Sequence, residues 1–259
     1  MTRAPSGAAT VELGGGFIHV RRPDGQAAVF VPHLQSAGVA GMMSPRTVNA
    51  RNADEVRAWL AAWGFAPSRA LAQVDQVHGT DVVPPSASTR QADGLFADGD
   101  DVILSVKAAD CAPLWFADMS ANRFALVHAG WRGVADGIVG AAVTALTASG
   151  SSTAELAVAV GPHLQRCCFE VGPEVAERFA GVPGAVVAPD VLTIERARDD
   201  SVALNLSAAI AARLHEAGIR DEQTFVATAC TRCHPEYFHS YRRNGAGGPL
   251  MAAIAARRA

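Results

Sequence analysis

Two histidines and a cysteine stand where polar side chains are least expected, at the ends of apolar runs. His78 closes "QVHG", Cys111 interrupts "VKAADCAPLWF", and His128 ends "FALVHAG". Two imidazoles and one thiolate make a three-ligand zinc set with a fourth position left open, the pattern of catalytic zinc. The same residue types permit a metal-free chemistry, with Cys111 as nucleophile, His128 as its base and Asp110 orienting the base. They also suit copper. Among the eight histidines no two are spaced as His-x-His, which argues against a multicopper centre. The bland alternative is two hydrogen-bonded histidines beside a free core thiol. Residue type and context alone leave these readings open.

Other groups could serve such a centre. In "HAGWRGV", Gly130 and Gly133 let backbone approach a ligand closely, and Arg132 offers a fork that grips phosphate at a helix start. "FHSYRRNGAGG" adds Arg242 and Arg243 beside a glycine-rich segment. Asp93 and Asp110 are candidate acid/base groups, or partners that orient metal ligands. The acidic stretch "QADGLFADGDD" reads as a solvated turn and not as an EF-hand loop. "CTRCH" has Cys-x2-Cys spacing, but a zinc ribbon needs a second pair. Adjacent Cys167-Cys168 makes a poor one, so these thiols are expected to stay free. Five cysteines, an odd count without an export signal, favour reduced thiols over a disulfide framework.

The elements that must position these groups are mostly short strands. "FIHV" and "AAVFVPHL" predict a hairpin through Asp24-Gly25. "NADEVRAWLAAWGF" predicts a helix capped by Asn52, with Glu55 three residues on as in a capping box. "ALAQVDQVHG" reads as a strand that runs into a turn, and "DVILSV", "APLWF" and "FALVHAG" as further strands. "VADGIVGAAVTALTAS" has the length of one helix ending at Gly150. "ELAVAVG", "QTFVATA" and "GPLMAAIAA" read as strands, and "PEVAERFA" and "LNLSAAIAARLHEAG" as helices. Strands and helices do not alternate one for one, so a mixed sheet sandwiched with helices is expected.

Composition bounds the rest. The 259 residues are 49% hydrophobic and 18% charged, enough for a large core in a single domain spanning 1–259. The net charge of -3, with no basic run beyond two residues, excludes a nucleic-acid surface. No apolar stretch is long enough to span a membrane, and the first residues lack a signal-peptide core, so a cytoplasmic location is expected. The oligomeric state is not legible.

With these segments in order, the chain resembles the YfiH family. Its members are also described as laccase-domain or polyphenol-oxidase-like purine nucleoside phosphorylases, and as peptidoglycan editing factors. "QVHG", "ADGL", "ADCAPLWFAD", "HAGWRG", "VGPHLQRCCFEVGPEV", "CT" and "FHSYRRNGAGGPLMAAIA" carry the resemblance, from about residue 70 to the C-terminus. It implies an α/β sandwich related to Cys–His deamidases and a zinc ion held by His78, Cys111 and His128, with copper possible in vitro. It also implies purine nucleosides and phosphate as substrates: adenosine, inosine, guanosine and methylthioadenosine, with adenosine deamination besides phosphorolysis. A copper-dependent polyphenol oxidase, and a metal-free cysteine hydrolase or deamidase, are the alternatives. The chain departs from the family pattern at Asn205, at His239, and in "MMSPRTVNARNADEVRAW", where an Asn-rich run is usual.

Overall fold

The computed structural model describes residues 7–87, 90–99 and 101–257. Asp100 of the acidic stretch lies outside them. The first half runs β1 (Ala9–Glu12), β2 (Ile18–Arg21), β3 (Ala27–Val31), β4 (Val39–Met43), α1 (Ala53–Ala62), β5 (Ala70–Gln73), β6 (Val82–Val83), β7 (Gly94–Asp98), β8 (Val102–Ala108), β9 (Ala112–Asp118) and β10 (Arg123–Ala129). The second half runs α2 (Trp131–Asp136), α3 (Ile138–Ala148), β11 (Leu156–Val160), β12 (Glu170–Val171), α4 (Pro173–Ala176), β13 (Val186–Val187), β14 (Val202–Leu204), α5 (Leu206–Glu216), β15 (Thr224–Val226), α6 (Tyr241–Asn244) and β16 (Met251–Arg257).

Local chemistry accounts for several of these elements. The β2–β3 hairpin forms as expected, with Gly25 at φ 86° in its turn. Asn52 caps α1 by accepting the N–H groups of Asp54 and Glu55. Glu55 reaches back to the Asn49 N–H (2.9 Å) and the Asn52 amide side chain, a variant of the expected capping box. Asn205 caps α5 through the Ala208 N–H, at 3.2 Å. The single helix expected from Val134 to Ser149 is two. Gly137 sits at φ 107° and divides α2 from α3, a conformation open to glycine because it has no Cβ. The helix expected to start at "HAGWRG" does so, at Trp131, and α2 runs only six residues.

The larger sheets order as β1-β2-β3-β4-β16-β8-β5 and β15-β11-β9-β10-β7-β6, and β12-β14-β13 form a small third. They stack face to face. Val29, Met43, Leu104, Val106 and Ala253 of the first sheet pack against Trp115, Phe124, Leu126 and Ala159 of the second. The Trp115 indole N–H crosses that layer and donates to the Ile254 carbonyl at 2.8 Å. Outside the second sheet, α3 and α5 cover Leu114, Phe116, Val127 and Val158. Outside the first, Val56, Trp59 and Leu60 of α1 cover Ile103 and Ile254. The result is an α-β-β-α sandwich of mixed sheets, as the strand pattern predicted. It explains why β9 is apolar as far as Asp118: all seven of its residues are buried, between helices on one face and a second sheet on the other.

Candidate metal centre

The site follows from strand register. Antiparallel β9 and β10 pair Ala112 with Ala129 and Pro113 with His128. Cys111, one residue before β9, therefore lies at the same sheet end as His128. On the other side of β10, β7 pairs Gly94 with Val127, which brings Asp93 alongside His128. The His128 N–H donates to the Asp93 carbonyl at 2.7 Å.

Asp93 is wholly buried and organises what surrounds it. His128 Nδ1 donates to Asp93 Oδ1 at 2.8 Å. The backbone N–H groups of Val77, His78 and Gly79 donate to the same carboxylate at 3.0, 3.0 and 2.7 Å. One side chain thus orients the His128 ring and anchors the loop that carries His78. His78 itself sits at φ 61°, left-handed backbone rare outside glycine. Burial works against the Asp93 charge, but the His128 and backbone hydrogen bonds hold its pKa below the ordinary carboxylate value.

The ligand atoms converge. Those of His78, Cys111 and His128 all lie within 4.8 Å of one another, and Cys111 Sγ is 3.9 Å from His78 Nε2. The His78 and His128 rings meet edge to face at 4.9 Å. Because Asp93 takes Nδ1–H of His128, Nε2 is left with its lone pair toward the cluster, the tautomer a metal ligand needs. A Cβ on Gly130 would stand 2.9 Å from His78 Cδ2 and 3.0 Å from Cys111 Sγ, so the chain passes against the ligands where only glycine fits. Without a metal, these groups polarise one another. Burial opposes ionisation of Cys111, yet His128 and then His78 bring its pKa down to about 6. Burial likewise opposes charge on His128, yet Cys111 and Asp93 raise it to about 9. Two imidazoles and an easily ionised thiol, oriented by a buried carboxylate, fit a metal such as zinc.

The remaining predicted residues divide. Asp110, at φ 83°, accepts from Thr231 Oγ1 (2.5 Å), Ser240 Oγ (3.0 Å) and the Arg242 N–H (2.6 Å). With its carboxylate occupied it fixes the turn into Cys111 and ties it to α6. Arg243 donates to the carbonyls of Thr231, Arg232 and Phe238 and staples that segment together. Arg242 is exposed, with one guanidinium N–H on the Glu170 carbonyl and its plane near Phe169. Arg132 is exposed and lies over the Trp131 ring at 4.6 Å. A pocket of about 160 Å³ lies beside Ala109, lined by Arg51, His239, Tyr241 and the 245–248 glycine segment. Two of those residues belong to regions that depart from the family pattern. Reading by residue type singled out Asp93 and the three residues that converge here, His78, Cys111 and His128, but not Thr231 and Ser240, whose hydroxyls give no signal until the fold brings them to Asp110.

An α-β-β-α sandwich with a His2Cys cluster at adjoining strand ends defines a recognisable class. The family described as multi-copper polyphenol oxidoreductase laccase matches residues 45–257, and the chain belongs to it. A relative named purine nucleoside phosphorylase YfiH, from Escherichia coli K12, is 32% identical over 211 residues, covering 80% of this chain and 82% of its own. A relative named adenosine deaminase RL5, from an unknown prokaryotic organism, is 29% identical, covering 66% and 64%. The crystal structure of YlmD from Geobacillus stearothermophilus superposes with a TM-score of 0.76 at 26% identity, covering 93% of this chain and 96% of that one. The resemblance to the YfiH family thus holds at the level of both sequence and fold. No helix of the described residues is long and apolar enough to cross a membrane.

Proposed function

We propose that this chain is a zinc-dependent purine nucleoside phosphorylase that also deaminates adenosine. The observation that carries the reading is the convergence of His78, Cys111 and His128 around a preset tautomer, in a chain whose relatives bear those two enzyme names. A zinc ion bound there supplies Lewis acidity toward a substrate oxygen. The chain's own residues do the rest. Asp93 keeps Nδ1–H of His128 directed inward. Asp110 holds the turn into Cys111. Arg132 and Arg242, both exposed near the strand ends, present guanidinium groups to phosphate oxygens. Arg243 acts through the backbone it staples.

The test is product analysis of adenosine with the zinc-loaded protein. Adenine and ribose 1-phosphate are expected only when phosphate is added, and inosine without it. A folded, zinc-loaded protein that converts no nucleoside overturns the proposal. The metal-free thiol reading has one observation in its favour, the mutual polarisation of Cys111 and His128. It requires that chelation leave turnover intact while alkylation abolishes it. The phosphorylase reading expects chelation to abolish turnover.

A further inference from the structure

Adjacent Cys167-Cys168 was expected to make a poor partner for Cys230 and Cys233, and the fold corrects this by bringing all four together. Strands β11 and β15 run parallel, pairing Val158 with Thr224 and Val160 with Val226. Both chains therefore leave the sheet at the same end. The pairing extends beyond the strands: His163 bridges to Cys230, and the Thr231 N–H donates to the His163 carbonyl at 3.1 Å. The segments carrying the two cysteine pairs are thus held side by side.

All four sulfurs lie within 4.8 Å of one another. Cys168 Sγ is 3.4 Å from Cys233 Sγ, and Cys167 Sγ is 3.8 Å from both Cys168 Sγ and Cys233 Sγ. All four are free thiols. Zinc–sulfur bonds of about 2.3 Å in a tetrahedron put neighbouring sulfurs about 3.8 Å apart, so this spacing is that of a tetrathiolate shell. Donors are placed to offset the negative charge such a shell carries. Arg232, between two of the cysteines, directs Nη1 at Cys168 Sγ (3.8 Å), and the Thr193 hydroxyl lies 3.6 Å from the same sulfur.

We infer that Cys167, Cys168, Cys230 and Cys233 form a second metal site, a closed structural zinc centre separate from the His78–Cys111–His128 cluster. Four protein ligands leave no position open for substrate, which makes its role mechanical. It fastens the 161–170 loop to the 230–234 turn. Thr231 in that turn holds Asp110, and the Leu164 N–H in that loop donates to the Asp110 carbonyl at 2.9 Å. The centre therefore stiffens the support under Cys111 from both sides.

Zinc content and zinc-edge X-ray absorption test this independently of any turnover. The intact protein is expected to hold two zinc ions. His78→Ala/Cys111→Ser is expected to hold one, with a first shell of four sulfurs at about 2.3 Å. That measurement leaves the four cysteines untouched, so it stands even where removing them prevents folding. Cys230→Ser/Cys233→Ser, checked for folding by circular dichroism, is expected to lose one equivalent and keep a shell of nitrogen and sulfur. A zinc-free His78→Ala/Cys111→Ser protein, a mixed shell in it, or a disulfide among the four cysteines overturns the proposal.

Discussion

Asp93 Oδ1 lies 2.8 Å from His128 Nδ1, and the same carboxylate gathers three consecutive backbone N–H groups from the His78 loop. A residue that touches no metal thereby sets the position of two of its three candidate ligands. Asp93→Asn keeps the volume but puts a donor where an acceptor is needed. Zinc affinity at the His2Cys centre is expected to fall about 10–100-fold, the usual cost of losing an orienting partner. Competition with a chromophoric chelator measures it, and an unchanged affinity contradicts the assignment.

Gly130 separates crowding from backbone strain. Its φ of -76° and ψ of 163° suit any residue, so Gly130→Ala meets no conformational penalty. The added Cβ meets His78 Cδ2 and Cys111 Sγ instead. Because the Cβ pushes His78 and Cys111 aside without straining the backbone, the stability of the metal-free variant in thermal unfolding is expected to fall only modestly, by about 1–3 kcal/mol at most, while zinc binding and turnover collapse together.

The pairing of Cys111 with His128 makes a pH prediction for the metal-free protein. A thiol whose pKa is lowered from 9.0 to about 6 loses its proton as pH rises through that value, and the anion is the nucleophile. Alkylation of Cys111, followed by peptide mass spectrometry, is expected to rise through pH 6 and be nearly complete in its increase by pH 7. A rise centred near pH 9 is the result that sinks it. Zinc is expected to suppress the reaction across the range.

Arg132 is exposed, with its guanidinium over the Trp131 ring, so Arg132→Ala is expected to leave stability within about 0.5 kcal/mol. If it receives phosphate, one charged hydrogen bond of about 1.5–3 kcal/mol is lost, a rise in the KM for phosphate of roughly 10–100-fold. Steady-state kinetics with phosphate varied at saturating adenosine reads this directly.

Trp115→Phe tests the sandwich. It keeps an aromatic ring but removes the indole N–H that donates to the Ile254 carbonyl and leaves part of the buried indole's space unfilled. A loss of about 1–3 kcal/mol is expected in denaturant unfolding.

How much was legible depended on whether the cause was local. Asn52 and α1 were, because a cap and its helix are neighbours in sequence. His78, Cys111 and His128 were, because each ends or breaks an apolar run. The break at Gly137 was not, since the apolar period continues through it and only the backbone angle reveals the stop. β4 was missed because "VAGMM" is buried on both faces and shows no alternation. The four-thiol cluster was misread because its two halves meet only through the parallel pairing of β11 with β15, which residue spacing does not encode.

Strand β16 has a place in the order of synthesis that bears on how the protein is made. It lies inside the seven-stranded sheet, between β4 and β8, although it follows every other strand of that sheet in the chain. Until residues 251–257 emerge, β1–β4 and the β8–β5 pair are two fragments with open edges facing each other. The hairpins can form early, but the sheet closes only when its final segment slots between them, across large sequence separations that slow folding. The nascent chain therefore passes through a stage in which apolar strand edges are exposed and need protection from association.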